Sequence, residues 1–164
     1  MSADLYAPHL LVIPEDEANR QIITGFRNHW GVRSRQIQIA EVANGWGKAL
    51  KQFAEVHVPL MRKYPKRFVL ILIDCDGQRE RIAHARRDIP PELADRVFIM
   101  GSLTTPEKLA AAVAMPKETL GKAIADECHN QCTAILNHPL LVHNLQEWER
   151  MDVSVCPALW AGRH

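Results

Sequence analysis

The chain has 164 residues, 47% of them hydrophobic, which suits one compact domain with an adequate core and leaves little room for two. Its formal charge of +1, from 20 basic and 19 acidic side chains, excludes a protein coated with positive charge for nucleic acid, so any polyanion contact must come from local patches. The sequence contains no signal-peptide core, no apolar run of ~20 residues and no disulfide pattern among its four cysteines, so we expect a soluble, cytoplasmic protein with reduced thiols.

The first two thirds of the sequence predict alternating strands and helices. Short apolar or alternating runs indicate strands, and apolar residues at helical spacing indicate helices. The predicted strands are residues 10–13, 36–42, 68–73 and 97–100. The predicted helices are residues 15–30, a segment that starts near Trp46 and is broken or kinked at Pro59, residues 79–87, and a short turn before the fourth strand.

This order predicts an α/β fold, with a small, mostly parallel sheet of about four strands and helices on both faces. We expect the α/β core to occupy residues 1–105. Residues 106–164 are expected to form a helical C-terminal extension that packs on this core within the same compact domain, with helix breaks at Pro116 and Pro139. Residues 153–155 could add a short edge strand.

Two aspartates, Asp74 and Asp76, follow the third predicted strand, and Gly77 comes next. If the extended geometry persists, carboxylates two positions apart point the same way. Two like charges that close repel each other, and a hard divalent cation such as Mg²⁺ relieves the repulsion through oxygen ligands. The pattern predicts a cation site at the carboxyl end of the strand, where open α/β sheets bind ligands. The alternative is an ordinary turn at Asp76 and Gly77 with both carboxylates in solvent.

Acidic residues also follow the first predicted strand, at Glu15, Asp16 and Glu17. If the first and third strands are neighbours, Glu15 joins the two aspartates in an oxygen-rich, negative site that suits Mg²⁺ or Mn²⁺ rather than zinc. The alternative for all three acids is helix capping, because the helix dipole favours negative charge in a first turn.

The two strand exits resemble the Toprim domain, the metal-binding fold of topoisomerases, bacterial primases, recombination proteins and overcoming-lysogenization-defect type nucleases. The resemblance rests on a hydrophobic strand that ends in Glu15, an apolar strand that ends in Asp74 and Asp76, and β-α repeats of suitable length between them. It covers about residues 9–105. It implies that these three acids are the catalytic residues, with Glu15 as an acid/base or metal-binding glutamate and the aspartates as metal ligands.

The chain departs from the Toprim pattern in two places. Family members often have glycine where this chain has Asp16, and many nuclease members carry another acid where it has Ala18 and Asn19. We expect neither strand passage nor primase activity, because these 164 residues leave no room for the separate domain that supplies a topoisomerase tyrosine or for the template-binding modules of a primase. The resemblance therefore points to a small standalone nuclease of the kind found in phage-defence and mobile-element systems.

For such a protein the resemblance implies metal-dependent hydrolysis of nucleic-acid phosphodiesters, with Mg²⁺ or Mn²⁺ as the cofactor. The main alternative is a catalytically weak, Toprim-shaped subunit that binds a partner protein in a defence or repair complex, where a homodimer could create the missing nucleic-acid groove. A third alternative is a haloacid-dehalogenase-like phosphatase with Asp74 as nucleophile and Asp76 as general acid. The position of the motif in mid-chain and the Gln78 that follows disfavour it.

Three further residues are candidates for the site. Glu107, soon after the fourth strand, is a candidate supplementary metal ligand, although Thr105, Pro106 and Glu107 also form a good helix start. Arg79 and Arg81 follow the aspartates and are candidate phosphate contacts, with Arg79 favoured by proximity. The alternative for both arginines is a solvated face.

Overall fold

The computed structural model describes residues 4–162 and contains a four-stranded, all-parallel sheet with helices on both faces. The strands are β1 (His9–Pro14), β2 (Ile37–Ile39), β3 (Arg67–Leu72) and β4 (Val97–Met100), in the order β2-β1-β3-β4. The helices are α1 (Glu17–Arg27), α2 (Trp46–Gln52), α3 (Val58–Lys63), α4 (Glu80–Arg87), α5 (Pro106–Ala112), α6 (Lys117–His129), α7 (Leu145–Ser154) and α8 (Cys156–Leu159). No helix within residues 4–162 is long and apolar enough to cross a membrane.

The predicted α/β class is confirmed, and the burial of the strands explains it. Every residue of β1 is buried, as expected for a central parallel strand covered on both faces. Leu10 and Val12 pack with α1, α6, α7 and α8 on one face. Leu11 and Ile13 pack with α2, α3 and α4 on the other, so alternate side chains of one strand enter two separate cores.

Several strands and helices begin or end at other residues than predicted. The second strand shortens to Ile37–Ile39, and the first helix shortens to Glu17–Arg27 because Asp16 caps it. The helix that begins at Trp46 ends at Gln52, ahead of Pro59. The chain passes through a π-helical segment, Phe53–His57, and Pro59 then occupies the first turn of α3, where a missing N–H needs no partner.

The expected edge strand at residues 153–155 is wrong, because these residues complete α7 and lead into α8. Val153 is 82% exposed, whereas Val155 is fully buried. In a strand, residues two positions apart share a face, so the difference in exposure between Val153 and Val155 indicates a helix. Three residues are too few to distinguish the periodicity of a helix from that of a strand in the sequence.

Helix α7 covers the outer edge of β4 with polar side chains. Asn144, at the start of α7, accepts a hydrogen bond from Gly101 N at 3.1 Å and donates one from Nδ2 to Gly101 O at 2.9 Å. Glu147 Oε2 accepts a hydrogen bond from Ile99 N at 2.8 Å. These contacts satisfy backbone groups that an edge strand would otherwise leave unpaired.

Replacement of Glu147 by alanine is expected to lower the free energy of unfolding by about 2–3 kcal/mol, because the buried Ile99 N–H loses its acceptor. The variant also breaks the ion pairs of the buried Glu147 carboxylate with Arg86 and Arg150, both at 2.5 Å. Urea unfolding measures the difference. Glu149→Ala removes an exposed carboxylate from the same helix and should change stability by less than about 0.5 kcal/mol. Equal losses in the two variants would contradict this role for Glu147.

Helices α1 and α6 touch through their backbones at two glycines. A Cβ added to Gly121 would lie 1.9 Å from Ile22 O, and one added to Gly25 would lie 1.9 Å from Glu118 O. The helices approach this closely because neither glycine carries a side chain. The C-terminal helices are thereby packed directly against α1, whose first turn faces the carboxyl end of the sheet.

Candidate functional site

The carboxyl ends of β1 and β3 lie side by side, as the sequence analysis required for Glu15 to approach the aspartates. Pro14 pairs with Leu72 in parallel register, and Glu15 N donates a hydrogen bond to Leu72 O at 2.9 Å. The Glu15 side chain then crosses to the next strand, where its Oε2 accepts a hydrogen bond from Asp74 N at 2.6 Å. The two acids are therefore in direct contact at one edge of the sheet.

Asp74 is a buried carboxylate at the centre of this site, only 6% exposed. Its Oδ2 accepts a hydrogen bond from Asn19 Nδ2 at 3.3 Å, whereas its Oδ1 is buried and has no hydrogen-bond partner. Burial raises the pKa of Asp74 from 3.8 to about 8, and the negative charges of Asp16 and Glu15 act in the same direction. At neutral pH Asp74 therefore holds a proton in most molecules of the metal-free protein.

Glu15 shares this environment. Burial raises the pKa of its carboxyl, the hydrogen bond from Asp74 N opposes that rise, and the charge of Asp16 adds to it. Two neighbouring residues whose carboxyl groups both have raised pKa values are typical of a functional site, because structural carboxylates are usually paired with a cation.

Asp76 lies in a turn rather than in an extension of β3, which removes the condition on which the predicted convergence with Asp74 depended. Its backbone adopts a left-handed conformation with φ 49°, followed by Gly77 with φ 76°. Asp76 N and Gly77 N donate hydrogen bonds to Thr104 O and Leu103 O at 3.2 and 2.8 Å. The extended geometry therefore ends before Asp76, and its side chain is 65% exposed. The alternative interpretation, a turn at Asp76 and Gly77, is confirmed for the backbone.

Arg81, rather than Arg79, lies against the aspartates. Arg81 Nη1 donates a hydrogen bond to Asp74 O at 3.0 Å, and Nη2 lies 3.8 Å from Asp76 Oδ2. The guanidinium also lies 5.4 Å from the centre of the Trp46 ring, which covers it from the α2 side. Arg79 is exposed at the start of α4. Proximity in sequence favoured Arg79, but helix α4 turns the residue two positions later toward the site.

The other acids near the site begin helices. Asp16 Oδ1 accepts a hydrogen bond from Asn19 N at 2.9 Å and caps α1, and Glu17 pairs with Arg20 at 2.6 Å. Glu107 is exposed in the first turn of α5, so the helix-start interpretation is confirmed for it. Its charge still contributes to the raised pKa of Asp74.

Asn19 is the site residue that the sequence analysis did not select. Many of the Toprim nucleases that the sequence resembles carry an acid at or next to this position. Asn19 lies one helical turn after Glu15 and Asp16, is 4% exposed, and donates to Asp74 across 55 positions of sequence. A buried asparagine facing a strand exit is the signal, but the contact depends on the long-range packing of α1 on the sheet.

The donor atoms of the site suit a hard cation, but their side chains do not converge on one point. Among residues 4–162, no three His, Cys, Asp or Glu side chains form a cluster that could hold a metal ion as they stand. The Glu15 carboxylate faces Asp74 N, and Asp76 faces solvent. The available donors are all oxygen, and Asp74 Oδ1 is a buried acceptor with no partner. This chemistry suits Mg²⁺ or Mn²⁺.

The comparisons with known proteins identify no relative. No protein-family model, no curated protein and no solved structure matches the chain. The Toprim resemblance therefore rests on Glu15, Asp74, Asp76 and the strand exits that carry them.

Proposed function

We propose that this chain is a divalent-metal-dependent phosphodiesterase of the nuclease type, with Glu15, Asp74 and Asp76 as its catalytic residues. The observation that supports the proposal is the contact between Glu15 and Asp74 across adjacent parallel strands, beside the buried and unpartnered Asp74 Oδ1. Carboxyl groups with raised pKa values at the carboxyl ends of parallel strands are the expected features of such a site.

Asp74 would hold the metal ion, with Glu15 and Asp76 as further ligands and Glu107 as a supplementary one. A bound Mg²⁺ or Mn²⁺ would supply an activated water and stabilise charge on the phosphate. Glu15, whose carboxyl pKa is raised by burial, would act as the acid/base residue or as a metal ligand. Arg81 fixes the Asp74 backbone through its hydrogen bond to the carbonyl oxygen, and its charge, with that of Arg79, would attract a substrate phosphate.

The proposed substrate is nucleic acid, contacted through its phosphates, and the proposed setting is phage defence or DNA processing in the cytoplasm. The near-neutral net charge is consistent with local phosphate contacts rather than with a protein coated in positive charge.

A second candidate function is a catalytically weak subunit that binds a partner protein or a second copy of the chain. The observation that favours it is the absence, within residues 4–162, of a ready-made cluster of metal-binding side chains. The Glu15 carboxylate already accepts a short hydrogen bond from Asp74 N, which would have to be given up before Glu15 could bind a metal. A partner could supply the contact that releases it.

Calorimetric titration with Mg²⁺ and Mn²⁺, run together with plasmid cleavage, tests the proposed enzyme. We expect the wild type to bind metal and to nick plasmid, and we expect Asp74→Asn to lose at least tenfold in both, because asparagine carries no negative charge and keeps only one of the two oxygens that could coordinate a cation. Asp95→Ala removes an exposed aspartate from the segment before β4 and should behave as the wild type.

Two results would overturn the proposal. The first is cleavage that persists in Asp74→Asn, because the activity would then come from elsewhere. The second is a wild type that neither binds metal nor cleaves, which would favour the subunit. Size-exclusion mass and pull-down with candidate partners would then be the next measurements.

A further inference from the structure

A groove runs around the free edge of β2, away from the acidic site. Its wider part has a volume of about 680 Å³ and is lined by Arg27, which ends α1, by Asn28, by Ser34 and Arg35, by residues 37–40, and by Leu11 and His57. No acidic residue lines this part of the groove. β2 pairs with β1 alone, so its other edge faces the groove. The lining combines positive charge with exposed polar groups.

His57 is a buried polar residue with no partner at the floor of this groove. It is 6% exposed, and neither of its ring nitrogens has a hydrogen-bond partner. Burial lowers the pKa of His57 to about 4, so the ring is neutral at neutral pH and offers one N–H donor. A buried donor without an acceptor is costly. Both nitrogens are closed to solvent, so the ring would have to turn toward the groove for a ligand oxygen to accept from it.

A buried guanidinium lies beside the same floor. Arg67 is 5% exposed, and its Nη2 donates to Oε1 of Gln38, a groove residue, at 3.4 Å. Its Nε donates to His9 Nε2 at 3.2 Å. No acidic side chain of residues 4–162 forms an ion pair with Arg67, so a buried positive charge stands next to the groove without a counter-charge.

The groove continues along α1 toward the acidic site. A second stretch of about 520 Å³ is lined by Arg20, Thr24 and Arg27 of α1 and by residues 39–42 and Asn44. Arg20 and Arg27 are seven residues apart, so they share a helix face and stand about 10 Å apart along its axis. Asn44 N donates a hydrogen bond to Glu15 O at 2.7 Å, so this stretch ends beside Glu15.

We propose that this groove, the β2 groove, binds the phosphate backbone of a nucleic-acid strand and leads it from His57 and Arg35 past Arg27 and Arg20 to the acidic site. A spacing of about 10 Å between successive arginines is too long for one phosphate group and suits a chain of them. The proposal deepens the proposed function and rests on it for the identity of the ligand.

The two ends of the β2 groove differ in charge. Near the acidic site, Arg20 is paired with Glu17, and Glu41 lines the wall. At the far end the lining has no acid. Binding energy should therefore come mainly from the far end, around Arg27 and His57, while the end beside Glu15 holds the strand more weakly and allows it to move through the site.

Fluorescence anisotropy with a labelled single-stranded DNA oligonucleotide tests the β2 groove. The parent protein carries Asp74→Asn, so that binding is measured without cleavage, and each variant is added to it. We expect Arg27→Ala to weaken binding about tenfold at low salt and to reduce the slope of log K against log salt by about 0.7, the value for one phosphate contact with a single strand. His57→Phe should weaken binding by a similar factor, since it fills the same space without a donor.

Arg87→Ala is the matched control, because Arg87 is an exposed arginine on α4 outside the β2 groove. It should bind as the parent does. Groove variants that keep the parent's affinity and salt slope, or a parent that binds no oligonucleotide, would overturn the inference. Metal uptake by the wild type is measured separately, so failure of the β2 groove and failure of the acidic site remain distinguishable. Weakened binding in the groove variants of a protein that takes up no metal would support the groove alone.

Discussion

Replacement of Asp74 by asparagine is expected to stabilise the metal-free protein by several kcal/mol at pH 8, while its stability at pH 4 stays nearly unchanged. In the wild type the folded pKa of Asp74 is about 8, above the ordinary value of 3.8. The carboxyl therefore contributes stability that is fully present below about pH 4 and is lost as the pH rises to about 8. Asparagine has the same shape and never ionises, so it escapes this loss.

The size of the effect follows from the same pKa. Each tenfold change in proton affinity is worth about 1.4 kcal/mol, so a rise from 3.8 to about 8 sets a ceiling of about 6 kcal/mol. Relaxation of the site around the charged form should reduce this to a few kcal/mol. The asparagine oxygen can still accept from Asn19, and its NH₂ group replaces the unpartnered Oδ1.

Urea unfolding at pH 4, 6 and 8 in the presence of a chelator measures this prediction. Asp76→Asn is the control, because it removes the same charge from a side chain that is 65% exposed, and it should change stability by less than about 0.5 kcal/mol at any pH. If the free energies of unfolding of Asp74→Asn and the wild type change in the same way between pH 4 and pH 8, the folded state does not raise the pKa of Asp74. The same substitution is expected to weaken metal binding at least tenfold, so the wild-type site would have lower stability in exchange for function.

Replacement of Gly121 by alanine is expected to destabilise the protein by at least about 3 kcal/mol, and soluble yield should fall with it. The new Cβ would lie 1.9 Å from Ile22 O and 2.8 Å from Phe26 N, which are backbone atoms of α1 and cannot rotate away. Helices α1 and α6 would have to separate along their whole contact. Because α1 carries Asn19, the hydrogen bond to Asp74 should weaken as well.

Thermal unfolding followed by circular dichroism measures the loss. Gly47→Ala provides the control, because Gly47 lies in α2 and a Cβ at that position would meet no other atom within 4 Å. Alanine there should stabilise the helix by up to about 1 kcal/mol. Equal midpoints for the two variants would show that α1 and α6 are not held in backbone contact.

The fold could be predicted from the sequence because each strand carries a local signal. Residues 68–73 are a continuous apolar run, so this strand must be buried on both faces. The helical spacing of apolar residues between the strands predicts helical crossovers that connect parallel strands. β4, at Val97–Met100, was predicted with the same bounds that the structure shows. The adjacency of β1 and β3 has no local signal, and it entered the sequence analysis only as a condition.

The site could be predicted only in part, for the same reason. Glu15 and Asp74 were selected because they sit directly at strand exits, where the fold fixes the position of the backbone. The direction of Asp76 depends on hydrogen bonds to Leu103 and Thr104, about 27 residues further along the chain. His57 gives no signal in the sequence, because its unpartnered burial results from the packing of a π-helical segment against the sheet.

The side chains of Asn144 and Glu147 that cover β4 have a consequence for self-association. They leave β2 as the one open edge of the sheet within residues 4–162. A sheet with two open edges can add copies at both and grow into a fibre, whereas a sheet with one can only join its open edge to that of a second copy. Strand-mediated association of native molecules should therefore stop at pairs, and an excess of nucleic acid in the β2 groove should compete with that pairing.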